Sequence, residues 1–279
     1  APILMSTRPW SSTQRDNAIR RGPHKSAKEA VDFVCEEFLD FMNKRFWTIL
    51  PYRLIKHLPN LRLSPLGVVP QQGRRPRLIV DLSFYFVNQE TAPVAPSEAM
   101  QFGRTLQRLL QRILMSNPEH GPVYISKIDI ADGFYRIGLA PYDAPKLAVL
   151  LPRLHDEEPL VAFPLVLPMG WVNSPPFFSA VTETVADLMN RRLPYCHQEQ
   201  PHRLETLALT SPEVTVNNPT TPTTLSEQHT TPVPNTAVHS PYYQRRLQYA
   251  DVYVNDFIAL LQGDAHQRRQ AMRTLLNTL

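Results

Sequence analysis

Three observations predict an α+β fold. An amphipathic helix pattern lies near the N-terminus, β-prone runs are joined by short polar turns, and further helix patterns sit between those runs. With 279 residues, 43% of them hydrophobic, the chain is long enough for one large or two small domains with a real core. Residues 1 to about 24 are polar, basic and unpatterned and are expected to form a loose tail. From Ser26 to Leu50 the apolar residues Val31, Val34, Phe38, Phe41 and Met42 recur at helical spacing with acidic residues between them, which predicts a helix packed on the core. The segment Leu66 to Val87 reads as two strands joined by the basic turn Gln71-Gln72-Gly73-Arg74-Arg75. A second helix is predicted from Ser97, as N-cap, to Met115. Strand patterns follow at 123–130, 146–151 and 160–167, and a helix from about Pro175 to Arg192.

From Pro194 to Pro241 the chain becomes rich in Thr, Pro, Asn, Ser and His. Such a stretch cannot bury enough apolar surface to offset its ordering entropy, so residues 194–245 read as a low-complexity insertion. An insertion of this kind costs little at a surface loop, because closure entropy grows only logarithmically with length. Strand-like order resumes at Leu247, where QYADVYVNDFIALL reads as two strands around a tight polar turn.

The bulk numbers exclude several function classes. Two cysteines, Cys35 and Cys196, are too few for a disulfide framework or a zinc cluster and favour a reducing, intracellular setting. No apolar run approaches the ~20 residues that span a bilayer, so no membrane partner is expected. A net charge of +4 permits a nucleic-acid partner without demanding one.

Taken singly, the chemical motifs are modest. In YISKIDIADGFYRIGLAP, Asp129 ends an apolar run and is followed by Asp132-Gly133-Phe134. A carboxylate at a strand end beside glycine and an aromatic can hold a metal next to a phosphate, but it also suits a plain turn. In VLPMGWVNSPPFFSAVTE, Gly170, Asn173 and Ser174 form a strand-to-helix turn with Pro175 near the helix start. Arg104, Arg108 and Arg112 recur every four residues opposite Leu106, Leu109 and Ile113, as a solvated helix face or a row of phosphate contacts. The pair Arg268-Arg269 is open to the same two readings.

In their order along the chain, SPLGVVPQQGRRPRLIVDLSFYFVN, KIDIADGFYRI, LPMGWVNSPPFF and YVND resemble the reverse transcriptase domain of LTR-type retroelements and retroviruses. The resemblance runs from about Leu61 to Gly263, apart from the insertion. It implies a right-hand polymerase core with fingers at about 25–97 and 139–167, and a palm at about 98–138 and 168–279. The palm would be an antiparallel sheet backed by helices. The family's thumb, connection and RNase H regions would follow in the chain and are not expected within these residues. A start at Ala1 and an end inside a helical pattern also suggest a fragment of a larger polyprotein.

The resemblance further implies an RNA-directed DNA polymerase using a primer-template, deoxynucleoside triphosphates and two Mg²⁺ ions. Asp129 matches the first metal-binding aspartate. Asp132 and Gly133 match the turn facing the triphosphate, and Phe134 the aromatic that favours deoxynucleotides. Arg77 matches the arginine that contacts triphosphate oxygens. Gly170 and Trp171 match the turn shaping the nucleotide and template pocket, where Met169 has at most a steric role. Arg74, Arg75, Trp171 and Tyr253 are the expected nucleic-acid contacts. Asn255 and Asp256 match the two aspartates of the catalytic turn, and Asn255 departs from the pattern. Mg²⁺ prefers charged oxygen ligands, whereas an amide offers a carbonyl oxygen without charge. Asp251 cannot replace the missing carboxylate, because four strand residues separate it from position 255 by about 13 Å. The expected function is therefore an impaired polymerase domain; the alternatives are a non-catalytic retroelement relic or a nucleic-acid-binding module.

Overall fold

A computed structural model describes residues 1–94, 100–153, 157–210 and 245–279. Its helices are α1 (Ser12–Arg21), α2 (Lys25–Glu29), α3 (Val31–Asn43), α4 (Tyr52–Ile55), α5 (Val87–Glu90), α6 (Thr105–Leu114), α7 (Ser174–Arg192), α8 (Arg203–Thr210) and α9 (Ala265–Leu276). Its strands are β1 (Trp47–Pro51), β2 (Leu63–Gln71), β3 (Arg74–Val80), β4 (Tyr124–Asp129), β5 (Ala148–Leu150), β6 (Leu160–Pro164), β7 (Gln248–Tyr253) and β8 (Asp256–Leu261). The fold is mixed α+β. Two compact units emerge, one of Ala1–Gly103 with Asp129–Glu183, the other of Arg104–Ile128 with Thr184–Leu279. Among the described residues no helix is long and apolar enough to cross a membrane.

The first unit is built on a five-stranded sheet in the order β1-β6-β5-β2-β3. All its pairings are antiparallel except β2 with β5. Both faces are buried, and strand alternation divides the core in two. Leu63, Ala148, Leu150, Val161 and Phe163 pack with Trp10, Ala18 and Ile55 on one side. Leu66, Val68, Val149 and Ala162 pack with Val34, Phe38 and Trp47 on the other.

Two expectations about this unit are corrected. The first 24 residues are not a loose tail. Ser11 and Gln14 form a reciprocal capping box at the start of α1. Ile3 is buried, its N–H donating to Asp143 Oδ2 at 3.0 Å, while Lys146 Nζ donates to its carbonyl at 2.7 Å. Arg62, 2% exposed, pairs with Glu90 and donates to Thr7 Oγ1 at 2.7 Å. Isolated anchors such as Ile3 and Trp10 leave no period for a sequence pattern to detect. The helix expected to reach Leu50 stops at Asn43, and Trp47–Pro51 is a strand paired with β6. Arg45 has φ 60°, with Arg45 N–H donating to Met42 O at 3.0 Å and Phe46 N–H to Phe41 O at 2.8 Å. That is a Schellman stop with arginine where glycine is usual, so nothing in the sequence marked it.

The second unit holds a three-stranded sheet in the order β4-β8-β7. Ala250, Val252, Phe257 and Ala259 are buried in it. Asp264 and Gln267 form a capping box that starts α9. The insertion expected at 194–245 is helical at its beginning, in a 3₁₀ turn over Leu193–Gln198 and in α8. Arg273 on α9 donates to both Glu205 oxygens on α8, at 2.6 and 2.8 Å. Its 211–244 portion lies outside the described residues, as does Ser97, the expected N-cap. The second helix starts at Thr105 and ends at Leu114.

Candidate functional site

In the second unit, Tyr253 pairs with Asp256 across the β7-β8 hairpin, leaving Val254 and Asn255 as a two-residue turn. Val254 has φ 59°. A β-branched residue in the left-handed region is strained, by about 1–3 kcal/mol. The turn thus presents the three residues expected to carry chemistry or contact nucleic acid, with Tyr253 half exposed at 52%. Asp256 opens β8, with β4 beside it in the sheet order; Asp129, the exposed last residue of β4, is counted with the first unit. Lys127, also on β4, places Nζ 2.8 Å from Asp256 Oδ1.

Asp251 lies elsewhere, buried at 3%. Arg108 grips it with both arms of its guanidinium, Nε to Oδ2 and Nη2 to Oδ1, each at 2.6 Å. Tyr249 Oη donates to the same carboxylate at 2.8 Å. These hydrogen bonds hold Arg108 protonated even more firmly than usual. Arg112 lies 4.7 Å over the Tyr249 ring. Arg108 and Arg112 therefore serve β7 rather than solvent, whereas Arg104, just before α6, is exposed, as are Leu106, Leu110 and Leu114. Arg268 stacks 3.7 Å over Tyr124 and donates to Gly263 O at 2.5 Å.

The other expected residues lie in the first unit. Asp132 has φ 57° and immediately precedes a short 3₁₀ turn, Gly133–Arg136, without a side-chain capping hydrogen bond. Lys44 Nζ approaches Asp132 at 3.8 Å. The Phe134 ring meets buried Phe178 edge-on at 4.9 Å, which fixes its position. Arg77 is exposed on β3 and lines a cleft of about 180 Å³ with Met169, Tyr135, Phe41, Trp47 and Glu37. Gly170 has φ 97°, and a Cβ there would stand 2.8 Å from Val80 O. Asn88 holds this turn, its Nδ2 donating to Gly170 O at 2.9 Å and its Oδ1 accepting from Val172 N–H at 3.0 Å.

One expected nucleic-acid contact is corrected. Trp171 is 1% exposed, stacked on Phe177, with Nε1 donating to Thr91 Oγ1 at 3.4 Å. It anchors the turn and offers no face to a nucleic acid. Arg75 pairs with Glu37 at 2.7 Å and Glu36 at 3.5 Å and lies over Phe33, with its side chain still 61% exposed. Arg74 is exposed at the β2-β3 turn. The sequence reading missed Lys127, Tyr135 and Asn88. Lys127 was within reach, because strand parity puts it on the same face as Asp129.

Burial pushes the Tyr135 phenol up to about 12, helped by the charges of Asp132 and Glu37. Burial and the hydrogen bond to Asp251 do the same for Tyr249, also to about 12. A raised pKa contributes stability that is fully present below the unfolded value near 10 and lost as pH rises through the folded value. Phenolate absorbance is expected to show Tyr135 and Tyr249 titrating late, alongside Tyr52 and Tyr85, which burial also raises, and stability to fall between pH 10 and 12. Replacing Tyr135 and Tyr249 by Phe should flatten that fall; an unchanged profile would contradict it.

No family model matches the chain. Over 113 residues, 40% of its length, it is 32% identical to the Endogenous retrovirus group K member 9 Pol protein of Homo sapiens. Over 72 residues, 25% of its length, it is 38% identical to the Gag-Pro-Pol polyprotein of Sheep pulmonary adenomatosis virus. The chain is similar to a retroelement Pol region. It spans only 9% and 4% of the length of these two relatives.

Proposed function

We propose that this chain is the fingers and palm of a retroelement reverse transcriptase, able to bind a primer-template but impaired in nucleotidyl transfer. The fingers are assigned to about 25–97 and 139–167, and the palm to about 98–138 and 168–279. The observation that carries the reading is the strained hairpin that presents Tyr253, Asn255 and Asp256. Backbone strain held at a turn is characteristic of functional sites, and the similarity to Pol proteins agrees with it. Arg77 would contact triphosphate oxygens, and Phe134, fixed by Phe178, would face the sugar. Arg74 and Tyr253 remain exposed for nucleic acid.

The cofactors of such an enzyme are two Mg²⁺ ions, and the residues present do not fit them. Position 255 offers a neutral amide, and the Asp256 carboxylate is already paired with the Lys127 ammonium at 2.8 Å. Among the described residues no three His, Cys, Asp or Glu side chains group so as to hold a metal. This mismatch is the physical basis of the impairment in nucleotidyl transfer.

Primer extension tests this reading, using a version of the chain carrying a family thumb, with Asn or Asp at position 255. The Asp form is expected to extend a primer more than about 100-fold faster, beyond what losing a residue behind a metal ligand usually costs. Equal, robust extension by both forms would show that Asn255 does not disable the turn. If the chain binds primer-template but neither form extends, the non-catalytic reading replaces the enzymatic one.

A further inference from the structure

Position 255 is not the only departure from a divalent-ion site at this hairpin. We infer that Lys127 is the built-in counter-cation of Asp256, its ammonium taking the place at the carboxylate that a divalent ion would otherwise take. The inference deepens the reading of the turn as a degenerate metal site and rests on it.

The geometry lies within one unit. β4 adjoins β8 in the sheet, and Lys127 Nζ reaches Asp256 Oδ1 at 2.8 Å, a charge-assisted hydrogen-bond distance. With Asn255 neutral, Asp256 and Lys127 together carry no net charge. Aspartate at 255 and an uncharged residue at 127 would give the same place a charge of −2. An ion with two positive charges gains little from the first arrangement and much from the second. To coordinate Asp256 directly, the ion must also displace the ammonium. Lys127 is 59% exposed at its side chain and Asp256 27%, so the displaced lysine can swing into water. The competition is therefore real but bounded. Exposed pairs contribute up to about 1 kcal/mol, which corresponds to about fivefold in affinity. Asn255 and Lys127 thus act in the same direction, and restoring the carboxylate alone leaves the competitor in place.

Mn²⁺ serves as the probe. Its binding to the full chain is measured by electron paramagnetic resonance of the free ion at fixed ionic strength. Lys127→Met is expected to tighten binding about fivefold, and Lys127→Arg to stay within about twofold of the parent because it keeps the charge. In the Asn255→Asp background, Lys127→Met should give at least the same gain, and Asp256→Asn should abolish it. The inference is overturned if Lys127→Met changes affinity by less than about twofold in both backgrounds, or if Arg tightens binding as much as Met. Should the Met variant melt early, Lys127→Gln repeats the measurement with a polar side chain. The two readings fail differently. Tighter Mn²⁺ binding by Lys127→Met without primer extension by any variant sinks the polymerase and keeps this inference. Primer extension by Asn255→Asp with Mn²⁺ affinity indifferent to Lys127 does the reverse.

Discussion

Gly170→Ala is expected to destabilise the first unit by about 3 kcal/mol or more. Two costs combine. An L-residue at φ 97° is strained by about 1–3 kcal/mol, and its Cβ would stand 2.8 Å from Val80 O. That oxygen belongs to backbone at the end of β3, where Val80 pairs with Leu66, so it cannot swing away as a side chain could. Asn88 holds the other side of the turn through Gly170 O, which closes the remaining escape. Gly73→Ala isolates the first cost, because its φ is 68° and a Cβ there meets nothing within 4 Å. Urea denaturation of the two variants should place Gly170→Ala well below Gly73→Ala. Equal losses would show that the Val80 contact relaxes cheaply.

Asp251→Ala is expected to cost the second unit about 3–5 kcal/mol, the range for breaking a buried ion pair by removing one partner. The loss strands the Arg108 guanidinium and removes the acceptor for Tyr249 Oη and for Val252 N–H, at 2.8 Å each. The double change Asp251→Leu with Arg108→Met should recover most of that loss, since it removes both charges and keeps apolar volume. A denaturation double-mutant cycle measures both effects. Additive losses would mean that the two side chains do not act as a pair.

These residues also show what the sequence could and could not reveal. The β7-β8 hairpin was legible because apolar alternation stops for a polar pair and then resumes, and the structure turns at Val254-Asn255. α7 was legible from the turn chemistry before it, with Ser174 and Pro175 at its start. The end of α3 was not legible, because arginine occupies a left-handed position that glycine would have announced. The direction of α6 was hidden for a different reason. Hydropathy assigns its arginines to water, yet a carboxylate on another element, Asp251, makes the inward direction favourable for Arg108. Partnership across long sequence separations decides such cases, as it does for Lys127 and Asp256 and for the burial of Trp171 beside Thr91. A single chain read in order carries no direct mark of it.

The anchoring of the first few residues has a consequence in time. Ile3 receives its partners only when Asp143 and Lys146 exist, 140 and 143 positions later. At about 5–20 residues per second, a ribosome takes roughly 7–30 s to supply them. Throughout that interval the leading apolar side chains lack their native slots, and the first unit cannot close. Folding of this unit is therefore expected to be governed by late, long-range docking rather than by the helices that form first.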